Sequence, residues 1–266
     1  MEFIRPYVEY VPTHGYTPQG LMKDIERVGR ICWNSQNKIN EDSAYRFIQR
    51  LKSMHHYSPF EHGTVYLSIP QFNQRYAEFE WRYRDTHYCN IKYGPDSGVS
   101  RNLYITTNMR YILEHTNESD LIYMTAPTLH ARRYTFKFTL PISIEREFLR
   151  HRVFSFMELS TRYVDMSNMQ CCLPYWIKEE DSAYLYNVCS DLEKSYKHLR
   201  ENHTPQESRD ILPLCTATTL YMTGFYEDWL NFIKLRGDKK AHPDAQYLAN
   251  QLKEILLKDE RIPRSN

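Results

Sequence analysis

Apolar residues recur along this chain with two different periods, and each period predicts its own kind of element. Recurrence three or four positions apart places apolar residues on one face of a helix. Such segments lie at 19–32, 42–55, 182–202, 205–222, 226–236 and 243–258. Alternation of apolar and polar residues predicts strands at 64–70 and 133–140, each with one buried face. Residues 1–11 also look extended, so the chain mixes helices and strands.

A further helix is predicted directly after the strand at 133–140, over ISIEREFLRHR at 142–152. Pro141 fits its first turn, because the amide hydrogen that proline lacks is not needed there. The end of this helix opens a group of polar residues set among apolar ones: Arg150, His151, Arg152, Glu158, Ser160 and Arg162. Arginines held among buried residues need anionic partners, and their guanidinium fork matches phosphate oxygens. The group predicts a phosphate-bearing ligand, with a purely structural salt-bridge network as the alternative.

The segment 71–132 is rich in Tyr, Arg and Asn and has a weaker pattern. We predict strands near 87–93 and 102–106, a helix near 107–115, and a turn at GPDSG, residues 94–98. The flanking strands at 64–70 and 133–140 would then bracket an inserted subdomain. It would cover a bound cofactor, extend a subunit contact, or serve no function, since surface insertions cost little stability.

Composition narrows the class of protein. The 266 residues contain only 8 glycines and no linker or repeat, which favours a single domain over 1–266. Lys and Arg number 34 against 33 Asp and Glu, so the broad basic field of a non-specific nucleic-acid binder is excluded. No apolar run approaches the roughly 20 residues of a membrane span. We therefore expect a soluble, cytoplasmic protein without nucleic-acid or membrane partners.

Cysteine and histidine residues give no metal motif. The six cysteines lack a spacing of two intervening residues, which favours reduced thiols. Cys171 and Cys172 fall in an expected strand and are predicted to be buried thiols. His55, His56 and His62 have no accompanying group of ligands, so no metal site is predicted.

Six segments, two of which share RHR, resemble those of the flavin-dependent thymidylate synthase family and follow the family order. RHR at 150–152, seven residues and then Ser160 match the family signature, which continues here as SxR-Tyr. HYSPFEH at 56–62 is similar to the family's H-x-T-P-F-E-H. FKFTLPISIEREFLRHR resembles its strand, proline and helix, and VDMSNMQCCLPYW resembles the strand that follows the signature. SRDILPL at 208–214 and LNFIKLRGD at 230–238 resemble two further family segments.

The resemblance implies roles for individual residues. Arg236 would be the catalytic residue, because a fixed guanidinium stabilises negative charge on the O4/N3 side of uracil. Residues implied to contact the flavin cofactor are Ser58, Arg150, His151, Arg152, Glu158 and Asn231. Residues implied to bind the nucleotide substrate are Glu147, Arg150, Glu158, Ser160, Thr161, Arg162, Arg209 and Arg236.

The resemblance also implies a fold, a reaction and an assembly. The fold would be α+β, an antiparallel sheet flanked by helices, with the insertion at about 71–132. The reaction would transfer the methylene group of methylenetetrahydrofolate to deoxyuridylate. Reduced FAD would supply the hydride and NADPH would reduce the flavin again. The assembly would be a homotetramer with its sites at subunit interfaces.

Some positions depart from the family pattern. Glu147 replaces a usual Gln, and Phe225 and Glu227 replace Asn and Arg. A carboxylate only accepts hydrogen bonds unless protonated, so Glu147 would repel a phosphate unless Arg146 or Arg150 neutralises it. These departures leave two alternatives: a related flavin enzyme that alkylates or hydroxymethylates another pyrimidine nucleotide, and a non-catalytic nucleotide- or RNA-binding protein.

Overall fold

The computed structural model describes residues 1–84, 86–94, 101–258 and 262. Its strands are β1 Glu2–Ile4, β2 Tyr7–Val11, β3 Thr64–Ile69, β4 Asn90–Tyr93, β5 Leu103–Asn108, β6 Arg133–Pro141, β7 Ser155–Glu158, β8 Gln170–Cys172 and β9 Ala217–Phe225. Its α-helices are α1 Pro18–Gly29, α2 Ser43–Ser53, α3 Tyr76–Tyr83, α4 Met109–His115, α5 Ile142–Phe148, α6 Glu179–Arg200, α7 Pro205–Ser208, α8 Tyr226–Arg236 and α9 Pro243–Lys258. Short 3₁₀ segments lie at Arg30–Trp33, Gln36–Lys38, Ser58–His62, Glu118–Tyr123 and Arg209–Ile211.

An antiparallel sheet in the order β2-β6-β9-β7 forms the centre of the fold. Its two middle strands pair over nine residues, from Arg133 opposite Phe225 to Pro141 opposite Ala217. Phe136 and Phe138 of β6 are fully buried under α5, α8 and α9. The predicted α+β class, with an antiparallel sheet and flanking helices, is confirmed.

The ends of β6 and β9 determine where α5 and α8 lie. α5 follows β6 directly and α8 follows β9 directly, and the two helices therefore start from opposite ends of the same antiparallel pair. Rings of both helices pack on Phe138: Phe148 at 5.4 Å between ring centroids and Phe232 at 6.3 Å. At 1.5 Å per residue the helices are about 10 and 16 Å long, against about 30 Å of strand. Their C-terminal ends consequently meet above the middle of the sheet.

A second antiparallel sheet, in the order β3-β5-β4, has a hydrophobic cluster of its own. The predicted strands near 87–93 and 102–106 and the predicted helix near 107–115 are confirmed as β4, β5 and α4. Helix α3, which lies in the same segment, was not predicted. Apart from Gly94, the predicted GPDSG turn lies outside the described residues. That the segment is an inserted subdomain stays a prediction.

The predicted helix at 205–222 is wrong. Only Pro205–Ser208 is α-helical, a 3₁₀ turn follows, and Ala217–Phe225 forms strand β9 in the middle of the central sheet. A strand covered on both faces does not alternate cleanly, and a run such as TTLYM therefore resembles a helical period. The threonines and tyrosine of that run nevertheless favour a strand.

The helix predicted at 142–152 is too long. It ends at Phe148, residues 149–150 and 152–153 form turns, and Ser155–Glu158 pairs with β9 as an edge strand. The RHR motif therefore lies between a helix and a strand rather than on the helix. The other predicted helices are present with bounds shifted by a few residues, and 19–32 divides into α1 and a 3₁₀ turn.

The predicted extended segment at 1–11 divides into two strands that join different sheets. β2 pairs with β6, whereas β1 pairs in parallel with β8. β8 lies in the segment VDMSNMQCCLPYW, where a strand was expected. All six cysteines are free thiols, and both Cys171 and Cys172 are buried as predicted. None of the helices among the described residues is long and apolar enough to cross a membrane.

His62 gives the fold a testable dependence on pH. Its buried ring lies with Nδ1 2.7 Å from Oγ1 of Thr223 in β9, and burial lowers the pKa of His62 from 6.5 to about 3. The unfolded chain therefore binds this proton at higher pH than the folded chain. Below pH 6.5 the free energy of unfolding should fall by up to about 1.4 kcal/mol per pH unit from this residue. Urea unfolding between pH 7.5 and 5 measures the slope.

His62→Asn should flatten that slope, because asparagine takes up no proton, although lost packing lowers stability at every pH. His198→Asn is the control, since the side chain of His198 is 80% exposed. An unchanged slope in His62→Asn would contradict the assignment.

Candidate functional site

Arg236, the last residue of α8, joins the C-terminal ends of α5 and α8. Its Nη1 donates to Oε2 of Glu147 at 2.6 Å, and its Nη2 donates to the main-chain oxygen of Glu147 at 2.7 Å. Its Nε donates to Nε2 of His151 at 2.8 Å. A guanidinium group at this place satisfies a carbonyl that the end of α5 leaves without a helical partner. It also meets the negative ends of both helix dipoles.

The hydrogen bond from Arg236 determines the state of His151. Nε2 of His151 must accept, so the neutral ring carries its proton on Nδ1. Burial, together with the positive charge of Arg236, lowers the pKa of His151 from 6.5 to about 4. His151 also packs edge-on against Phe232, with ring centroids 4.9 Å apart. A neutral imidazole and a fixed guanidinium therefore stand side by side at neutral pH.

Arg236 keeps two donors for a ligand. A guanidinium has five N–H groups, and three of them are used in the bonds to Glu147 and His151. The Arg236 side chain is 18% exposed, so the remaining donors lie near the surface. The ion-pair partner of Glu147 is Arg236, rather than Arg146 or Arg150.

Arg150 and Arg152 flank His151 and differ from Arg236 in their surroundings. Both side chains are exposed. Within the described ranges 1–84, 86–94, 101–258 and 262, neither one forms an ion pair closer than 4.0 Å. Two uncompensated guanidinium groups next to a fixed third one make a positive, donor-rich surface that fits an anionic ligand.

A second group of predicted residues lies at the other end of β7. Glu158 ends the strand, and Ser160 and Thr161 lie in the turn that follows. The Ser160 amide donates to the main-chain oxygen of Cys32 at 3.3 Å, and Nε of Arg162 donates to Gln206 at 2.9 Å.

Burial raises the pKa of Glu158, and the positive charge of Arg209, in a 3₁₀ turn, partly opposes this rise. β7 separates this second group from His151 by about 13 Å of strand.

Glu145 belongs to this second group, although the sequence analysis missed it. It is 7% exposed on α5, and Thr218 of β9 donates to its Oε1 at 3.4 Å. Burial and the negative charge of Glu158 raise the pKa of Glu145, so Glu145 holds a proton and donates it to Glu158. The available signal was its position one residue after Ile144 and three before Phe148, on the buried face of the helix.

Arg236, Glu147 and His151 form the Arg236 cluster. In the part of the chain that the structure describes, Ser58 and Asn231 form no hydrogen bond with it. Ser58 begins the 3₁₀ segment Ser58–His62, and Asn231 lies in the middle of α8; both are exposed. Their roles stay predictions.

The departures Phe225 and Glu227 lie at the start of α8, and its rise places Glu227 about 14 Å from Arg236. Only Glu147, among the three departures, contacts Arg236.

Comparison with known proteins gives consistent matches. A family model described as "Thymidylate synthase complementing protein" matches residues 107–260. A probable flavin-dependent thymidylate synthase of Paramecium bursaria Chlorella virus 1 is 33% identical over 141 residues, 44% of this chain and 62% of that protein.

A flavin-dependent thymidylate synthase of Thermosipho melanesiensis is 28% identical over 166 residues, 55% of this chain and 69% of that protein. A flavin-dependent thymidylate synthase of Synechocystis is 27% identical over 144 residues, which are 47% of this chain and 66% of that protein. The chain thus spans about two thirds of the length of the relatives it matches.

The Glu145–Glu158 pair predicts a pH dependence opposite to that of His62. Because its folded pKa is raised above 4.5, Glu145 contributes stability at low pH that is lost as the pH rises. Glu145→Gln mimics the protonated acid without this loss. The variant should therefore gain stability relative to wild type between pH 5 and 8, by up to about 1.4 kcal/mol per pH unit.

Urea unfolding at both pH values measures this difference. Glu227→Gln, at an exposed position of α8, is the matched control and should show no such trend. Equal stability differences at pH 5 and pH 8 for Glu145→Gln would mean that Glu145 is ionised in the fold.

Proposed function

The chain belongs to the thymidylate synthase complementing protein family, and from this membership we propose that it is a flavin-dependent thymidylate synthase. It would make thymidylate from deoxyuridylate, with methylenetetrahydrofolate as one-carbon donor and NADPH as reductant. The names of the matched relatives favour this activity over another pyrimidine substrate or a non-catalytic role. The observation that carries the proposal is Arg236, fixed by three hydrogen bonds with two donors left over.

The hydrogen-bond donors at the predicted cofactor-binding positions suit both the phosphates and the flavin ring of FAD. A dinucleotide carries two linked phosphates, and the exposed guanidinium groups of Arg150 and Arg152 suit such an anion. Ser58 and Asn231 supply a hydroxyl and an amide for the polar edge of a flavin ring. When bound, reduced flavin supplies the hydride for the new methyl group. The protein residues then bind, orient and stabilise charge.

Arg236 would act on the pyrimidine of the substrate. C5 of uracil becomes nucleophilic when negative charge on its O4/N3 side is stabilised, and the two remaining N–H groups of Arg236 would donate there. His151 and Glu147 hold the guanidinium in place before the substrate binds, so little reorganisation is needed. Glu147 also offsets the charge of Arg236, which favours a neutral pyrimidine over a phosphate at this position.

Ser160, Thr161, Arg162 and Arg209 would hold the phosphate and sugar of deoxyuridylate, with Glu158 beside Arg209. About 13 Å of β7 lies between this group and His151. This separation supports a homotetramer in which one subunit's Arg236 and another subunit's Ser160 bind the same nucleotide. We propose shared sites of this kind, in a cytoplasmic enzyme.

The visible absorption spectrum of the purified protein tests cofactor, reductant and nucleotide together. Flavin absorption should be present and should bleach with NADPH, and deoxyuridylate should change the rate of bleaching. Thymidylate should then form when methylenetetrahydrofolate is added. A colourless protein that takes up no FAD would contradict the proposal, and turnover of deoxycytidylate alone would identify another pyrimidine as the substrate.

Arg236→Ala should lower turnover by roughly 10²–10³-fold, the usual effect of removing one preorganised donor to a developing anion. The yellow flavin complex should persist, because Arg150 and Arg152 are intact. Arg236→Lys should not restore turnover, since an ammonium group cannot donate hydrogen bonds in the planar geometry by which the guanidinium binds Glu147 and His151. Lys234→Ala, at an exposed position of the same helix, is the control. Near-normal turnover of Arg236→Ala would remove Arg236 from the catalytic role.

A further inference from the structure

Three cysteines that are far apart in the sequence meet in the fold. Cys171 lies in β8, Cys189 in α6, and Cys215 in the turn before β9. Their sulfur atoms all lie within 4.8 Å of one another, and those of Cys189 and Cys215 are 3.4 Å apart. The spacings of 18 and 26 residues match no metal motif, which explains why the sequence analysis predicted only buried thiols.

Backbone hydrogen bonds hold two of the three thiols in place. The amide of Cys172 donates to the carbonyl of Cys215 at 2.7 Å, and Cys171 forms a bridge with Thr216. β8 also pairs in parallel with β1. Cys189 approaches from the buried side of α6 and is 1% exposed. The thiols therefore do not need a large backbone movement to converge on one point.

The sulfur triangle has the dimensions of a metal–thiolate site. Zinc–sulfur bonds are about 2.3 Å long in tetrahedral sites, which places bonded sulfur atoms about 3.8 Å from each other. This value lies between the 3.4 Å that separates the sulfurs of Cys189 and Cys215 and the 4.8 Å limit of the group. Small rotations of the side chains would bring all three sulfurs to bonding distance.

The surroundings favour a soft metal ion and leave it an entry path. The cluster packs among apolar and sulfur-containing residues such as Met166, Met169 and Tyr196. Cys189 and Cys215 also line a cavity of about 550 Å³ that includes His242 and Asp244. A metal ion would reach the thiols through this cavity. A water molecule in the cavity would occupy the fourth coordination position of the ion.

We propose that Cys171, Cys189 and Cys215 form a three-thiolate site for a thiophilic divalent ion of the zinc class. Binding replaces three S–H bonds by three metal–sulfur bonds and releases three protons, without a change of oxidation state. A disulfide is the competing outcome, but it would join only two of the three sulfurs and require an oxidant. The site lies in a different hydrophobic cluster from Arg236 and does not depend on the proposed enzymatic activity.

Cobalt and zinc titrations of the reduced protein, stripped of metal by a chelator, test the site. Wild type should bind one Co²⁺ per chain with sulfur-to-cobalt charge-transfer absorption and tetrahedral ligand-field bands, and Zn²⁺ should displace it. Cys171→Ser, Cys189→Ser and Cys215→Ser should each lower the affinity at least tenfold. Cys172→Ser is the matched control, because Cys172 is equally buried in the same strand but lies outside the triangle.

Circular dichroism establishes whether each variant is folded. If the serine variants do not fold, zinc-edge X-ray absorption of wild type gives the ligand count directly, and three sulfurs at about 2.3 Å are expected. A shell of nitrogen and oxygen only would overturn the proposal, as would wild-type affinity in all three variants. So would a reduced protein that binds neither ion while oxidised glutathione converts Cys189 and Cys215 to a disulfide.

Discussion

The nine-residue antiparallel pairing of β6 with β9 is the constraint on which the rest of the structure depends. Each strand continues without a loop into a helix, α5 from one end and α8 from the other. The combined length of the two helices nearly equals that of the strands, so their C-terminal ends meet. Glu147 and Arg236 stand at those ends, and their ion pair follows from the topology as much as from their charges.

In both the Arg236 cluster and the Glu145–Glu158 pair, a charged group is removed from water, and the two sites offset this cost in different ways. A charge taken from water needs a partner or must be neutralised. The charge of Arg236 is paired with Glu147, 2.6 Å away. Burial, together with the charge of Arg236, lowers the pKa of the neighbouring His151 and keeps its ring neutral. No cation of the described part of the chain lies at hydrogen-bond distance from Glu145, whose pKa is raised by burial and by the negative charge of Glu158. Both ends of β7 therefore carry groups whose protonation state is determined before any ligand arrives.

Much of the fold and of the site was predictable from local patterns. The alternation in β6, the period of α8 and α9, and the RHR and LNFIKLR segments identified the main elements and Arg236. β9 was missed because a strand buried on both faces loses its alternation, as TTLYM does. The Glu145–Glu158 pair, the Glu147–Arg236 pair and the three thiols were out of reach for a different reason. Each depends on strand register that brings together residues far apart in the sequence.

The pairing of the first strands has a consequence for how the chain acquires its structure during synthesis. Glu9 in β2 contacts Lys137, 128 residues later, and Glu2 in β1 contacts Gln170, 168 residues later. Residues 2–11 leave the ribosome before these partners and cannot pair until the partners have been synthesised. Contacts of such long range slow folding, and an unpaired strand exposes hydrogen-bonding edges meanwhile. Until β6 and β8 have been made, residues 2–11 are consequently a segment of the nascent chain without its strand partners.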